Sequence, residues 1–303
     1  MVALTDVPVG ALNLERFASV LAPEDYERLM RTVQRGREVF DGRVVWNVNS
    51  TAQGGGVAEM LVSLLAYARG AGIDARWVVI AGNEDFFVLT KRIHNFLHGS
   101  SGDGGELDSD ARRVFDEVTE RNAAEFRELI KPEDVVIIHD PQPAGLIPAI
   151  RDVGCPIVWR CHVGLDRPHP LARRAWEFLL PYVRDADAYV FSRQAFAWEG
   201  LEKDVTIIPP SIDAFSPKNE ELAREHVLAI LTVAGLNEDS AAPAPTFTRL
   251  DGSPGRVGRP AQRWERRALR VMMATVMGLG VAGARFRHSI ERMHPGHYLT
   301  SSY

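Results

Sequence analysis

The sequence predicts an α/β fold built on a doubly wound, mostly parallel sheet, and three observations predict it. Six short runs rich in Val, Ile and aromatic residues recur along the chain. Segments with apolar residues at i, i+3 and i+4, the spacing of one helix face, separate them. The runs are apolar almost throughout instead of alternating with polar residues, which is the habit of strands covered on both faces in right-handed βαβ units.

The first 40 residues read as one or two amphipathic helices packed on the sheet edge. Ala22-Pro23-Glu24-Asp25 is a helix start before YERLMRTVQRGREVF, with proline at the position that needs no N–H. RVVWNVN (43–49) is the first strand, and GVAEMLVSLLAYARGAG the helix after it. ARWVVIAG (75–82) is followed by the helical segment FFVLTKRIHNFLHG, and a second helix, ARRVFDEVTERNAAEFRELI, leads to the strand DVVIIHD (134–140). PAGLIPAIRDVG connects to PIVWRCH (156–162), LARRAWEFLLPYV to DAYVFS (187–192), and VTIIPPS (205–211) ends the series. Residues 41–222 thus form the α/β domain. Residues 223–260, where Pro243, Pro245, Pro254 and Pro260 cluster with glycine, read as a linker or insertion, and 261–303 as a basic, helical or disordered tail.

The chain has 303 residues, 46% apolar and 25% charged, which excludes disordered, collagen-like and disulfide-scaffold classes. Net charge is -5, but it is divided: Arg256 to Tyr303 holds nine Arg, no Lys and two acids, so residues 1–255 carry about -12 and the tail about +7. No basic stretch followed by an apolar run opens the chain, so a cytoplasmic location is expected. The longest apolar run, Val271 to Gly283, would make a helix of about 20 Å against a bilayer core of about 30 Å. Cys155 and Cys161 flank a strand and lie roughly 20 Å apart if it is extended, too far to pair, and they form no metal-binding pattern.

In a doubly wound sheet ligands bind beyond the carboxyl ends of the strands. Four polar loops emerge there. Gly54-Gly55-Gly56 opens a helix after NSTAQ, where bare backbone and unpaired helical N–H groups suit a phosphate or sugar oxygen; a plain tight turn fits equally. The loop lacks both the GxGxxG spacing and the Walker lysine. His139 and Asp140 end one strand, and Arg160, His162 and Asp166 surround the end of the next, placing imidazole and carboxylate where they could bind hydroxyls or steady a developing charge. Arg193 follows the strand DAYVFS with a guanidinium for phosphate or carboxylate. Lys91, His94, Asn95 and His98 form a polar stripe on one helix, readable either as a solvated face or as part of the site; without a third ligand or an HExxH glutamate the two histidines are no metal centre.

Taken together, VWNVNSTAQGGGVAEML, GNEDFFVLTKRIHNFLHG, VVIIHDPQPAGLIP, VWRCHVG, DAYVFSR and IIPPSIDAFSPKN resemble the trehalose-synthesising glycosyltransferases, retaining GT4-type enzymes of the two-domain GT-B fold. The likeness covers about residues 40–222, and TFTRLDGSPGRV carries it faintly to about 257. It implies that this Rossmann-like sheet is the N-terminal, acceptor-binding half of a GT-B fold, transferring glucose from a nucleoside-diphosphate glucose (UDP, ADP or GDP) to glucose. By that resemblance His162 is the catalytic residue beside the transferred glucose, and Gly54, Gly55 and Gly56 approach the donor phosphates or sugar. Asp140, Lys91, His94 and Asn95 take the acceptor hydroxyls, and Arg193 orients a substrate. No tightly bound cofactor is implied, and Mg²⁺ is compatible without being required. The same resemblance admits a trehalose phosphorylase or a non-catalytic sugar-binding remnant.

Only about 80 residues follow the apparent hinge, where a donor-binding domain needs roughly 150. The Arg-rich tail, with 31 Arg to 4 Lys overall, is read as truncated or frame-shifted high-GC coding, or as a basic amphipathic helix toward an anionic membrane or partner, the lesser reading. Nucleic acid is excluded as a partner for want of a recognisable module. An exposed former domain interface would favour a homodimer.

Overall fold

The computed structural model describes residues 4–167, 169–201 and 205–216, then isolated positions and two short strands at Thr246–Thr248 and Pro254–Arg256. The chain divides into two compact units, one ending at Ser211 and the other beginning at Ile212. In the second unit the two short strands pair antiparallel, within the stretch read as a linker or insertion. The expected tail, 261–303, lies outside the described residues.

The first unit is a seven-stranded sheet. Its strands are β1 (Thr5–Val7), β2 (Val44–Asn49), β3 (Asp74–Val79), β4 (Val135–His139), β5 (Ile157–Cys161), β6 (Ala188–Phe191) and β7 (Val205–Ile207). The helices are α1 (Pro23–Val39), α2 (Gly56–Gly70), α3 (Glu84–Leu97), α4 (Ser109–Arg127), α5 (Leu146–Ile150) and α6 (Pro170–Val183). Spatial order is β1-β3-β2-β4-β5-β6-β7, and every pairing is parallel except β1 with β3. The mostly parallel, doubly wound sheet is therefore as expected. The N-terminal segment differs: it supplies an antiparallel edge strand, a 3₁₀ turn at Leu14–Ser19 and one long helix instead of helices alone. A three-residue strand is shorter than any periodicity can reveal.

Local chemistry sets the helix starts. Pro23 occupies the first turn of α1 with Glu24 and Asp25 behind it. Asn83 caps α3 by accepting from Phe86 N at 3.0 Å, and Asp108 caps α4 by accepting from Ala111 N at 3.0 Å. Packing then divides the sheet into two faces. Trp46, Val48, Val136, Ile138, Ile157, Trp159 and Phe191 meet Phe86, Phe96, Phe115, Phe126, Ile147 and Phe178 of α3 to α6 in the main core. On the opposite face Ala75 and Trp77 pack against Ala58, Leu61 and Leu65 of α2. α1 rests on the end of α2 through Val33, Leu14 and Ala71.

The chain leaves β2 for β3 on one side and returns to β4 on the other, so the order of winding reverses between β2 and β4. A crevice opens beyond the carboxyl ends of strands at such a reversal, and helices on either side cannot fill it.

Candidate functional site

Three polar side chains sit on the α2-side face around this reversal. Asn47 aligns with Ile137, and His139, two residues on, aligns with Arg160, so strand alternation points Asn47, His139 and Arg160 to the same face. Asn47 is 2% and His139 1% exposed. His139 Nε2 lies 3.1 Å from Asn47 Oδ1, and His139 Nδ1 lies 3.2 Å from His162 Nε2. The two imidazoles lie edge to edge and nearly coplanar, 5.5 Å between centroids with an interplanar angle of 16°.

Asp140 turns the chain out of β4 with φ 65°, the one non-glycine residue in the left-handed region among the described residues. Aspartate tolerates this region better than most side chains, and here three bonds hold it. Its N–H donates to Arg160 O at 2.9 Å, its carbonyl accepts from Trp159 Nε1 at 3.0 Å, and its carboxylate accepts from His162 N at 2.7 Å. An uncommon backbone conformation at a strand end is characteristic of functional sites.

Desolvation dominates the electrostatics. Burial, reinforced by His162 and Arg160, holds the His139 imidazole well below the ordinary histidine range, and burial likewise lowers His162 against the pull of Asp140. Burial raises the Asp140 carboxyl, while His162, Arg160 and His98 oppose that rise. Burial also lowers the Arg160 guanidinium, Asp140 being the opposing charge. The site therefore presents neutral imidazoles at neutral pH.

The glycine loop leaves β2 at the same edge. Asn49 accepts from Trp77 Nε1 at 2.8 Å and donates to Thr51 O at 2.7 Å, tying the start of the loop to the core. Gly54 and Gly55 have φ 73° and 86°, and a Cβ placed on either would meet nothing within 4 Å. Backbone conformation, not crowding, makes glycine necessary here.

The α3 stripe is assembled in part. Lys91 and His98 both act on His94, and His98 also acts on Asp140, joining the stripe to the strand-end cluster. The His94 and His98 rings lie 4.5 Å apart, and His94 Nδ1 is buried without a hydrogen-bond partner. Asn95 packs instead beneath Gly102, where a Cβ would come within 2.5 Å of its Nδ2. Arg193 pairs with Asp166 at 2.9 Å and lies over Phe196, which itself covers Gly164, so the loops after β5 and β6 form a joint wall. Both partners are more than half exposed, and an exposed pair of this kind contributes only about 0–1 kcal/mol, leaving the guanidinium open to exchange for a ligand anion.

Burial lowers His94 to about 4, with His98 and Lys91 adding to the effect. A histidine whose folded value is depressed destabilises as pH falls from the unfolded value of about 6.5 toward the folded one, because the unfolded chain takes up the proton first. His94 alone is expected to remove about 2 kcal/mol between pH 7 and pH 5. Urea unfolding at the two pH values measures the loss, and His94→Gln should shrink it by that amount; an equal loss in the variant overturns the assignment.

Neither metal-binding group of three His, Cys, Asp or Glu nor membrane-crossing helix occurs among the described residues. Both cysteines are free and buried. Sequence reasoning does not single out Asn47 as a site residue. The available signal is its alternation with Asn49 in an otherwise apolar strand, two polar residues on one face of VWNVN.

Residues 47–198 match the family model for the trehalose synthase N-terminal domain. The chain is 38% identical to the trehalose synthase of Pyrococcus horikoshii over 223 residues, 73% of this chain and 51% of that protein. It is 35% identical to the Rubrobacter xylanophilus trehalose synthase over 241 residues, 77% of this chain and 55% of that one. A trehalose phosphorylase of Pleurotus pulmonarius is 32% identical over 154 residues, 47% of this chain and 21% of that protein. The chain thus spans about half the length of the trehalose synthases it matches. Residues 257–303 match a different model, the N-terminal segment of the nitrile hydratase beta subunit. The first match runs from the second half of β2 through β6 and takes in Asn47, His139, Asp140 and His162, and by it the chain belongs to the trehalose synthase family.

Proposed function

We propose that this domain is the acceptor-binding half of a retaining hexosyltransferase that makes α,α-trehalose from a nucleoside-diphosphate glucose and glucose. The observation that carries the reading is the cluster His139, Asp140 and His162 at the β2–β4 reversal, inside the segment that matches the family. Transfer breaks the bond between the donor anomeric carbon and the diphosphate and forms one to the anomeric oxygen of the acceptor, whose proton leaves with the diphosphate or to solvent. Positive charge develops on the donor sugar. A neutral His162 can accept from a sugar hydroxyl without opposing that charge, as an imidazolium would. The positive-φ glycines offer N–H groups to the diphosphate, Asp140 an acceptor for hydroxyls, and Lys91 and His94 the flanking contacts.

A second reading, trehalose phosphorylase, has support in the Pleurotus relative. It uses phosphate where the first uses a nucleotide. Residues 257–303 are then a segment related to the nitrile hydratase beta subunit, joined to the sugar domain.

The test is calorimetric titration of the 303-residue chain with glucose, then trehalose assays on a fusion of residues 1–211 to the remaining half of the Pyrococcus horikoshii protein. Saturable glucose binding, and trehalose formed only with UDP-, ADP- or GDP-glucose, are expected. Product dependent on inorganic phosphate supports the phosphorylase instead, and neither binding nor turnover overturns both.

A further inference from the structure

The hydrogen bonds behind His162 have a direction. Asn47 Nδ2 faces two carbonyl oxygens, Val45 O at 3.4 Å and Arg76 O at 3.5 Å, so this end of the amide is the donor and Oδ1 is the end turned to His139. An amide oxygen only accepts, which makes His139 Nε2 the protonated nitrogen. A neutral imidazole with its proton on Nε2 has a lone pair on Nδ1. That lone pair faces His162 Nε2 at 3.2 Å, so His162 must in turn carry its proton on Nε2. Its Nδ1 is left as an acceptor, and among the described residues the bonds of His162 run through its Nε2 and its backbone N–H.

We propose that Asn47 and His139 are positioning residues which fix the tautomer of His162, so that this histidine offers its Nδ1 lone pair, and not an N–H, to the sugar hydroxyl beside the reacting carbon. The proposal rests on the functional reading above for the identity of the ligand, but the proton arrangement stands on geometry alone. The charged groups beside His139 are Arg160, in register with it across β5, and Asp140, next in the chain. Both imidazoles are held neutral by burial, so one proton on each ring suffices to complete the chain Asn47 Oδ1, His139, His162. An acceptor at this position draws the hydroxyl proton away from the sugar and enriches its oxygen, which favours positive charge on the ring; an N–H there would do the reverse.

Imidazole ¹⁵N spectra of the full chain, labelled at histidine and assigned with His139→Gln and His162→Gln, read the tautomers directly. At pH 7 the wild type is expected to show both rings protonated on Nε2. Asn47→Leu removes the acceptor and strands the His139 Nε2 proton in an apolar setting. The His139 proton then moves to Nδ1, and that of His162 to its own Nδ1. Asn47→Asp keeps an acceptor at the same place and should retain the wild-type pattern. In the fusion that makes trehalose, Asn47→Leu is expected to lower kcat about tenfold or more with less change in KM, the usual range when the group behind a ligand is lost. A wild-type His162 protonated on Nδ1 or on both nitrogens overturns the proposal, as does an unchanged His162 tautomer in folded Asn47→Leu. A chain that shows the expected tautomers but binds no glucose, and whose fusion forms no trehalose, sinks the functional reading and leaves the proton arrangement intact.

Discussion

In a fusion protein that turns over, His162→Ala is expected to lower kcat for trehalose by roughly 10²–10³-fold, the effect of deleting one preorganised group aimed at developing charge. The folding free energy should fall by about 1–3 kcal/mol, since the buried His139 loses its Nδ1 partner while the backbone bond of residue 162 to Asp140 is kept. Steady-state kinetics beside urea unfolding separates the two quantities. An unchanged rate would remove His162 from the reaction. A collapse in stability equal to the loss in rate would make it a structural residue of the β5 end.

The second large effect concerns stability. Asp134 is 2% exposed and accepts three hydrogen bonds: Val44 N at 2.9 Å, Trp46 Nε1 at 3.0 Å and Lys131 N at 3.0 Å. Asp134→Ala removes the partner of all three donors, of which Trp46 Nε1 is buried, Val44 N half-buried and Lys131 N on an exposed residue. A buried unsatisfied donor costs about 1–3 kcal/mol, so with Trp46 Nε1 stranded and the two less buried N–H groups adding a smaller share, a total loss of about 2–4 kcal/mol is expected, against a whole-domain stability of about 5–15 kcal/mol. The fall in urea midpoint measures it, and a loss below about 1 kcal/mol would mean that water satisfies the donors. Function follows from the same contact. Asp134 clamps the start of β2 to the start of β4, and the register so fixed is what sets Asn47 against His139 three residues further along.

Much of the fold was legible because the elements are long and their patterns clean. The alternation of apolar runs with helical spacing places six strands and their helices, and the proline at the start of α1 marks its first turn. β1 was not legible, since Thr5–Val7 has no period and exists as a strand only because the edge of β3 needs a partner. His162 and Asp140 could be named from their positions at strand ends, where the strand order of any doubly wound sheet puts ligands. Asn47 could not, because its significance depends on which strand lies beside it. Neither could the separation of Asn95 from the histidines of its own helix, which follows from the loop carrying Gly102 folding back over it.

By itself, then, the sequence determined the class of fold, the edge at which the polar strand-end residues gather and the residue types available there, because those depend on local period and on the end of a strand. Tertiary structure alone decided that β2 neighbours β4 and not β5, and therefore that Asn47, His139 and His162 form one hydrogen-bonded series. The physical reason is that strand order and register are settled by packing across the sheet, between residues about 90 positions apart in the chain, and the protonation and direction of a buried hydrogen bond are settled by whatever partner that packing supplies.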